Sequence, residues 1–180
     1  QYLTRDNLTA SESTTFSMWF KYGKVGIDSI PLSQAGGGGV NQLIFNATGT
    51  ITGDGTATQN CTTSGSYIDS SAWYHLVYTR GTNATRLFVN GVEQSNVREA
   101  ITTTGGIVLG NNSSTTIDEA FDGYMADVYY IDGQILEPTA FGRENDDGVW
   151  VPREVDFTPA TMRFSDFLTC APGNFNVASP

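Results

Sequence analysis

Residues Trp73 to Gln94 read WYHLVYTRGTNATRLFVNGVEQ, and they hold the only histidine of the chain. The first question is whether His75 is a reactive centre or part of a scaffold. Tyr74, Leu76 and Tyr78 alternate with Trp73, His75 and Val77, so each set falls on its own face of a strand. Asn90-Gly91 then supplies, at low steric cost, the two positive φ angles that a type I′ turn requires. The stretch therefore predicts an antiparallel pairing of TRLFVN (85–90) with VEQSNV (92–97) around that turn.

The same two-residue period runs through the rest of the chain. In TTFSMWFKY (14–22), Phe16, Met18, Phe20 and Tyr22 share one face, while Ser17, Trp19 and Lys21 share the other. NQLIFN (41–46) and GIVLG (106–110) are short apolar runs bounded by Gly or Asn, as expected of short buried strands. The Thr-, Gly- and Ser-rich connection from Asn46 to Tyr67 is expected to hold one or two edge strands. Asp132-Gly133, and more weakly Asp54-Gly55, read as further hairpin turns. Only LEPTAFGRE (136–144), with a proline in its first turn, suits a helix, and of one or two turns. No repeat of fixed period is present. The expected fold is all-β: a two-sheet antiparallel β-sandwich or jelly roll with at most one short helix.

Composition narrows the function. A chain of 180 residues suits one domain with a proper core. The formal net charge of -10, with nine Lys and Arg scattered singly, excludes a phosphate-binding surface and so nucleic acid as partner. An acidic surface of this kind favours solubility and divalent cations. No run of about 18 apolar residues is available to span a membrane. The start at Gln1, without a signal peptide, and the loose APGNFNVASP (171–180) lead to the expectation of a portion of a longer polypeptide. On that reading residues 1–168 form the sandwich and 169–180 a linker or tail. Cys61 and Cys170, with one histidine, cannot complete a zinc site. A single disulfide and two free thiols both stand open.

Beyond these patterns the chain carries a resemblance. SAWYHLVYTRGTNATRLFVNGVEQ (71–94) resembles the central hairpin of the laminin-G and pentraxin group within the concanavalin A-like lectin/glucanase fold. FDGYMADVYYIDGQILEPTAFGRENDDGVWVP (121–152) is similar to a run found in lectin-like domains of marine bacteriophage structural proteins. YLTRDNLTASESTTFSMWFKY (2–22) and MRFSDF (162–167) resemble the start and the tail of the same domains. The resemblance covers roughly residues 2 to 167, with its motifs in order. It implies a concanavalin A-like sandwich on a virion surface, in a tail fibre or on a capsid, within an oligomeric assembly of other virion proteins. It also places His75 inside a sheet strand as a packing or hydrogen-bonding element, which makes the hairpin scaffold.

Glucanases of this fold carry an E-x-D-x-E run that presents alternate carboxylates to a cleft. The nearest match here, EVD at Glu154 to Asp156, lacks the third acid, and Asp118, Glu119 and Asp122 have the wrong spacing for one strand face. No G-x-S-x-G, P-loop or H-E-x-x-H occurs, and Gly36 to Gly39 lack the Lys-Ser/Thr of a phosphate cradle. The expectation is a non-enzyme. Calcium is the candidate cofactor, because laminin-G and pentraxin domains often hold it at the rim through hard oxygen ligands. GNNSSTTIDEAFDG (110–123) gathers Asp118, Glu119 and Asp122 as candidate ligands, against the alternative of a solvated acidic loop. A cell-surface glycan would need an aromatic platform with amides beside it. Trp19, Trp73, Tyr129 and Trp150 are candidate platforms. Trp150, in an irregular stretch, is the one expected to be exposed, although such a tryptophan also serves as a plug at the sandwich edge. Asn111 and Asn112 are the candidate amides. A glycan-binding module and a purely structural virion module both fit this sequence.

Overall fold

A computed structural model describes residues 2–5, 13–35, 42–56, 59–82, 84–97, 106–112, 119–155 and 176–178. Its strands are β1 (Tyr2–Arg5), β2 (Thr14–Tyr22), β3 (Ser29–Ala35), β4 (Leu43–Phe45), β5 (Ile51–Thr56), β6 (Gln59–Thr62) and β7 (Tyr74–Arg80). There follow β8 (Thr85–Val89), β9 (Val92–Val97), β10 (Gly106–Leu109) and β11 (Gly123–Asp132). One 3-10 turn (Pro138–Ala140) precedes β12 (Gly142–Glu144), β13 (Trp150–Pro152) and β14 (Asn176–Ala178).

Seven strands form one sheet in the order β14-β1-β10-β3-β4-β5-β6, and five form the other in the order β11-β2-β7-β8-β9. The ladders are antiparallel. This is the two-sheet sandwich that the alternation predicts. Phe16, Met18, Phe20 and Tyr22 all enter the core between the sheets, where they meet Leu32, Leu43, Phe45 and Ile51 of the opposite layer. Gly53 lets the layers close up: a Cβ there would lie 2.3 Å from the ring of Tyr78.

The other face of the five-stranded sheet is not left to water. Val77, Phe88, Ile131 and Phe141 form a second apolar cluster, with Tyr129, Leu136, Ala140 and Val155 packed against it. The chain from Gly133 to Val155, including the β12–β13 hairpin, lies across this face. Thr15 pins it, donating to the carbonyl of Gln134 at 2.9 Å and accepting from the amide of Leu136 at 2.9 Å. As a result β2 is buried on both of its faces.

Two expected turns come out differently. Asp132-Gly133 does not close a hairpin: Gly133 takes φ 83, donates to the carbonyl of Ser13 at 2.7 Å, and sends the chain into the wrap. Asp54-Gly55 lies within β5, where the register against β6 shifts between Asp54 and Thr56, so the reversal comes later. A bulge also interrupts β11, because Trp19 faces Ala126 while Ser17 faces Tyr129. Asp127, at φ 47, absorbs the extra residue. The bulge resets the phase, so Val128 and Tyr130 point into the main core and Tyr129 and Ile131 toward the wrap.

Within the segment read as a tail, Asn176–Ala178 pairs antiparallel with Tyr2–Thr4 at the edge of the larger sheet. Cys61 is buried, its thiol 3.4 Å from the carbonyl oxygen of Thr85, whereas Cys170 lies outside the described residues. Gly36 to Gly39 and Asp156 also lie outside them.

Candidate functional site

At one end of the sandwich the chain leaves β10, turns at Gly110 with φ 87, and folds back over β3. The Ser33 hydroxyl holds this turn, lying 3.0 Å from the carbonyl oxygen of Asn111 and 2.9 Å from that of Asn112. The Asn112 amide then bridges two segments. Its oxygen accepts from Nε2 of Gln42, and its nitrogen donates to Oε2 of Glu119 at 3.0 Å. Glu119 sits in the left-handed region at φ 49, which a glutamate adopts only when its surroundings hold it there. Its carbonyl accepts from the amide of Ile30 at 2.7 Å. From there the chain re-enters β11 past Phe121, whose amide donates to the carbonyl of Gly110 at 3.1 Å, and Asp122, whose carbonyl takes the amide of Gly23 at 2.9 Å.

Beside this crossing, between the two sheets, opens a cleft of about 340 Å³. Tyr2, Leu3, Leu109 and Gly110 contribute to its lining from one side of the sequence, and Phe121, Gly123 and Met125 from the other. The side chains of its described lining are apolar or aromatic, polar atoms make up nearly half of its surface, and Asn112 and Glu119 lie two residues along the chain from Gly110 and Phe121.

The expected site residues separate in this geometry. Asn112 and Glu119 meet at the rim, the Asp122 carboxylate lies against Gly23, and Asp118 lies outside the described residues. Asn111 has no exposed surface, so its amide is not available to a ligand. Trp150 is elsewhere, on the outer face of the five-stranded sheet. It is half-buried, its ring stacks on His75 with centroids 6.0 Å apart, and its N–H donates to Nδ1 of His75 at 3.0 Å. Gly91 and Gly142 make room for it, since a Cβ on either would come within 2.6 Å of the indole. That is the arrangement of a plug. His75 is likewise interior, with no exposed surface and Nε2 at 2.9 Å from the Ser17 hydroxyl. Burial brings its pKa down to about 4.

Among the described residues no three His, Cys, Asp or Glu side chains come together to hold a metal ion. The Glu119 carboxylate already accepts from an amide, and the Asp122 carboxylate lies against Gly23, where an added Cβ would meet Oδ1 at 2.7 Å. Sequence reasoning missed Gln42 and the cleft lining, because the pairing of Gln42 with Asn112 depends on a loop folding back over β3.

Residues 1–137 match the family model of the concanavalin A-like lectin/glucanases superfamily. No curated protein matches the sequence. Among solved structures, a Bacteroides ovatus protein to which carbohydrate binding is ascribed gives a TM-score of 0.63 at 16% identity, over 76% of this chain and 42% of that one. Domain 4 of the extracellular GH43 arabinanase AbnA from Geobacillus stearothermophilus, in complex with arabinotriose, gives 0.59 at 17% identity, over 73% and 66%. The native heptameric SAP-like pentraxin of Limulus polyphemus gives 0.57 at 14% identity, over 75% and 71%. At these identities the likeness is one of fold, and the chain spans less than half of the Bacteroides protein.

Proposed function

The chain belongs to the concanavalin A-like lectin/glucanases superfamily, and on that premise we propose that it is a non-catalytic glycan-binding module carried on the surface of a phage virion. The observation that carries the binding role is the cleft of about 340 Å³, with Asn112 and Glu119, bonded to each other, two residues along the chain from its lining residues Gly110 and Phe121. A pyranose presents an apolar C–H face and a polar edge, and here apolar and aromatic side chains share the cleft surface with polar atoms that can meet hydroxyl groups. Among the described residues, the lining offers no acid, base or nucleophile beyond the phenol of Tyr2. Carbohydrate binding ascribed to the Bacteroides protein and arabinotriose held by the arabinanase domain agree with this reading. The virion setting rests on the ordered motifs shared with phage structural proteins. Its partners there are host-surface glycans and neighbouring virion proteins.

The test is retention of the purified chain on a broad panel of surface polysaccharides, with calcium and then with chelator. Retention that Asn112→Ala abolishes supports the rim and cleft. Retention lost on chelation brings Asp118, Glu119 and Asp122 back as calcium ligands. A folded chain that binds no sugar points to a purely structural virion module.

A further inference from the structure

The wrap that covers the outer face of the five-stranded sheet stops one row short of its end. Trp150 lies over the row of His75 and Trp19, whose rings are themselves stacked with centroids 4.9 Å apart. In the next row Tyr124 pairs with Lys21. Trp73 falls on the other side of Lys21, one step beyond the last registered pair, Phe20 with Tyr74. By strand alternation Lys21 and Tyr124 point outward, as Trp19 does, and Trp73, just before β7, is exposed beside them. Tyr124 is 63% exposed and Trp73 44%. Only Ile135 of the exposed large apolar side chains among the described residues sits at the opposite end, against Gly81. The rest belong to the loops and strand ends around this row.

We propose that Trp73, Lys21 and Tyr124 form a second binding site, distinct from the cleft, for an anionic polysaccharide. The two rings are two strand spacings apart, about 10 Å, a distance that two consecutive sugar rings fill. Each ring offers a stacking face to a pyranose, and the ammonium between them takes a carboxylate or sulfate ester. The charges support this choice. Lys21 and Lys24 are the only two lysines in a chain of net charge -10, and both lie at this end of β2. Among the described residues the ion pairs are those of Arg86, with Glu93 and Glu137, and none engages Lys21. The carboxylate it senses, Asp69, is held below the usual carboxylate range first by the Ser71 hydroxyl and amide, and only last by Lys21. An ammonium that makes no ion pair, flanked by two exposed aromatics, is a local positive point on an acidic surface and is complementary to one carboxylate or sulfate of a sugar stacked on the rings. This goes beyond the cleft reading and stands independently of it.

Titration calorimetry with polygalacturonate, sulfated dextran and neutral dextran tests the site. The expected result is binding of one or both polyanions. Lys21→Gln weakens it by about tenfold, Lys21→Arg preserves it, and Trp73→Ala and Tyr124→Ala each lower it. The two polyanions separate a preference for carboxylate from one for sulfate. All these side chains lie outside the core, and circular dichroism checks that each variant is folded. Polyanion binding unchanged in Lys21→Gln, or no polyanion binding at all, overturns the proposal. Neutral sugars retained through Asn112 while polyanions fail would sink this site and leave the cleft reading standing. Polyanion binding lost in Lys21→Gln but unchanged in Asn112→Ala supports this site without the cleft.

Discussion

The indole N–H of Trp150 donates to Nδ1 of His75 at 3.0 Å, and this bond fixes the state of the imidazole. An indole nitrogen can only donate, so Nδ1 must be an acceptor and the ring proton sits on Nε2, directed at the Ser17 hydroxyl 2.9 Å away. The ring is neutral, desolvated and stacked against Trp19 and Trp150. It ties the plug of the outer layer to the central strand of the sheet.

That state makes stability depend on pH. The His75 pKa is about 4 in the folded protein against 6.5 when unfolded, so between those values the unfolded chain binds the extra proton. The stability contribution is complete above pH 6.5 and is lost as the pH falls toward 4. The loss amounts to about 3 kcal/mol. Urea titrations across this window should show the decline, and His75→Gln should flatten it. An unchanged slope in that variant would remove His75 as its source.

Trp150→Phe keeps an aromatic plug but leaves Nδ1 buried without a donor. The expected cost is about 1–3 kcal/mol in chemical denaturation. Trp150→Ala, which also uncovers His75 and Gly142, should cost more. Equal stabilities for the Phe variant and the parent would show that water replaces the indole donor.

Gly91 and Gly148 offer a paired comparison. Both have positive φ, 80 and 74, yet a Cβ on Gly91 would lie 2.6 Å from the Trp150 ring, whereas one on Gly148 meets open space. Gly148→Ala should cost only the backbone penalty of about 1 kcal/mol. Gly91→Ala should cost about 1–3 kcal/mol beyond that. Introducing Gly91→Ala into Trp150→Ala should bring its cost down to the Gly148 value, and a double-mutant cycle reads this coupling.

At the rim, Asn112→Ala removes the link between Gln42 and Glu119 while the backbone contacts of Ser33 remain. Glycan retention should fall by about tenfold with little change in Tm. Ser33→Ala, which unpins the turn from a fully buried position, should lower both. A parallel loss of Tm in Asn112→Ala would assign the amide to folding instead.

The hairpin at Asn90-Gly91 and the inward face of β2 were legible because they are local: two positive φ angles, 49 and 80, and a two-residue period. The second layer was less so. Trp19, Val77 and Phe88 on the outward face signal that something covers it, but nothing local says that residues 133–155 do. For the same reason Trp150 reads as an exposed platform in isolation, when its exposure depends on His75, Gly91 and Gly142, all distant in sequence. Trp73, at 44%, is the tryptophan left open, since it falls beyond the edge of the wrap. The bulge at Asp127 breaks the alternation without any glycine to announce it.

β2 lies between β11 and β7, and from Thr14 to Phe20 it has the core on one face and the wrap on the other. The amides there, bonded to β7 and β11, trade hydrogen for deuterium only when the sheet itself opens. The exchange rate of Met18 and its neighbours thus becomes a gauge of the opening of the whole molecule.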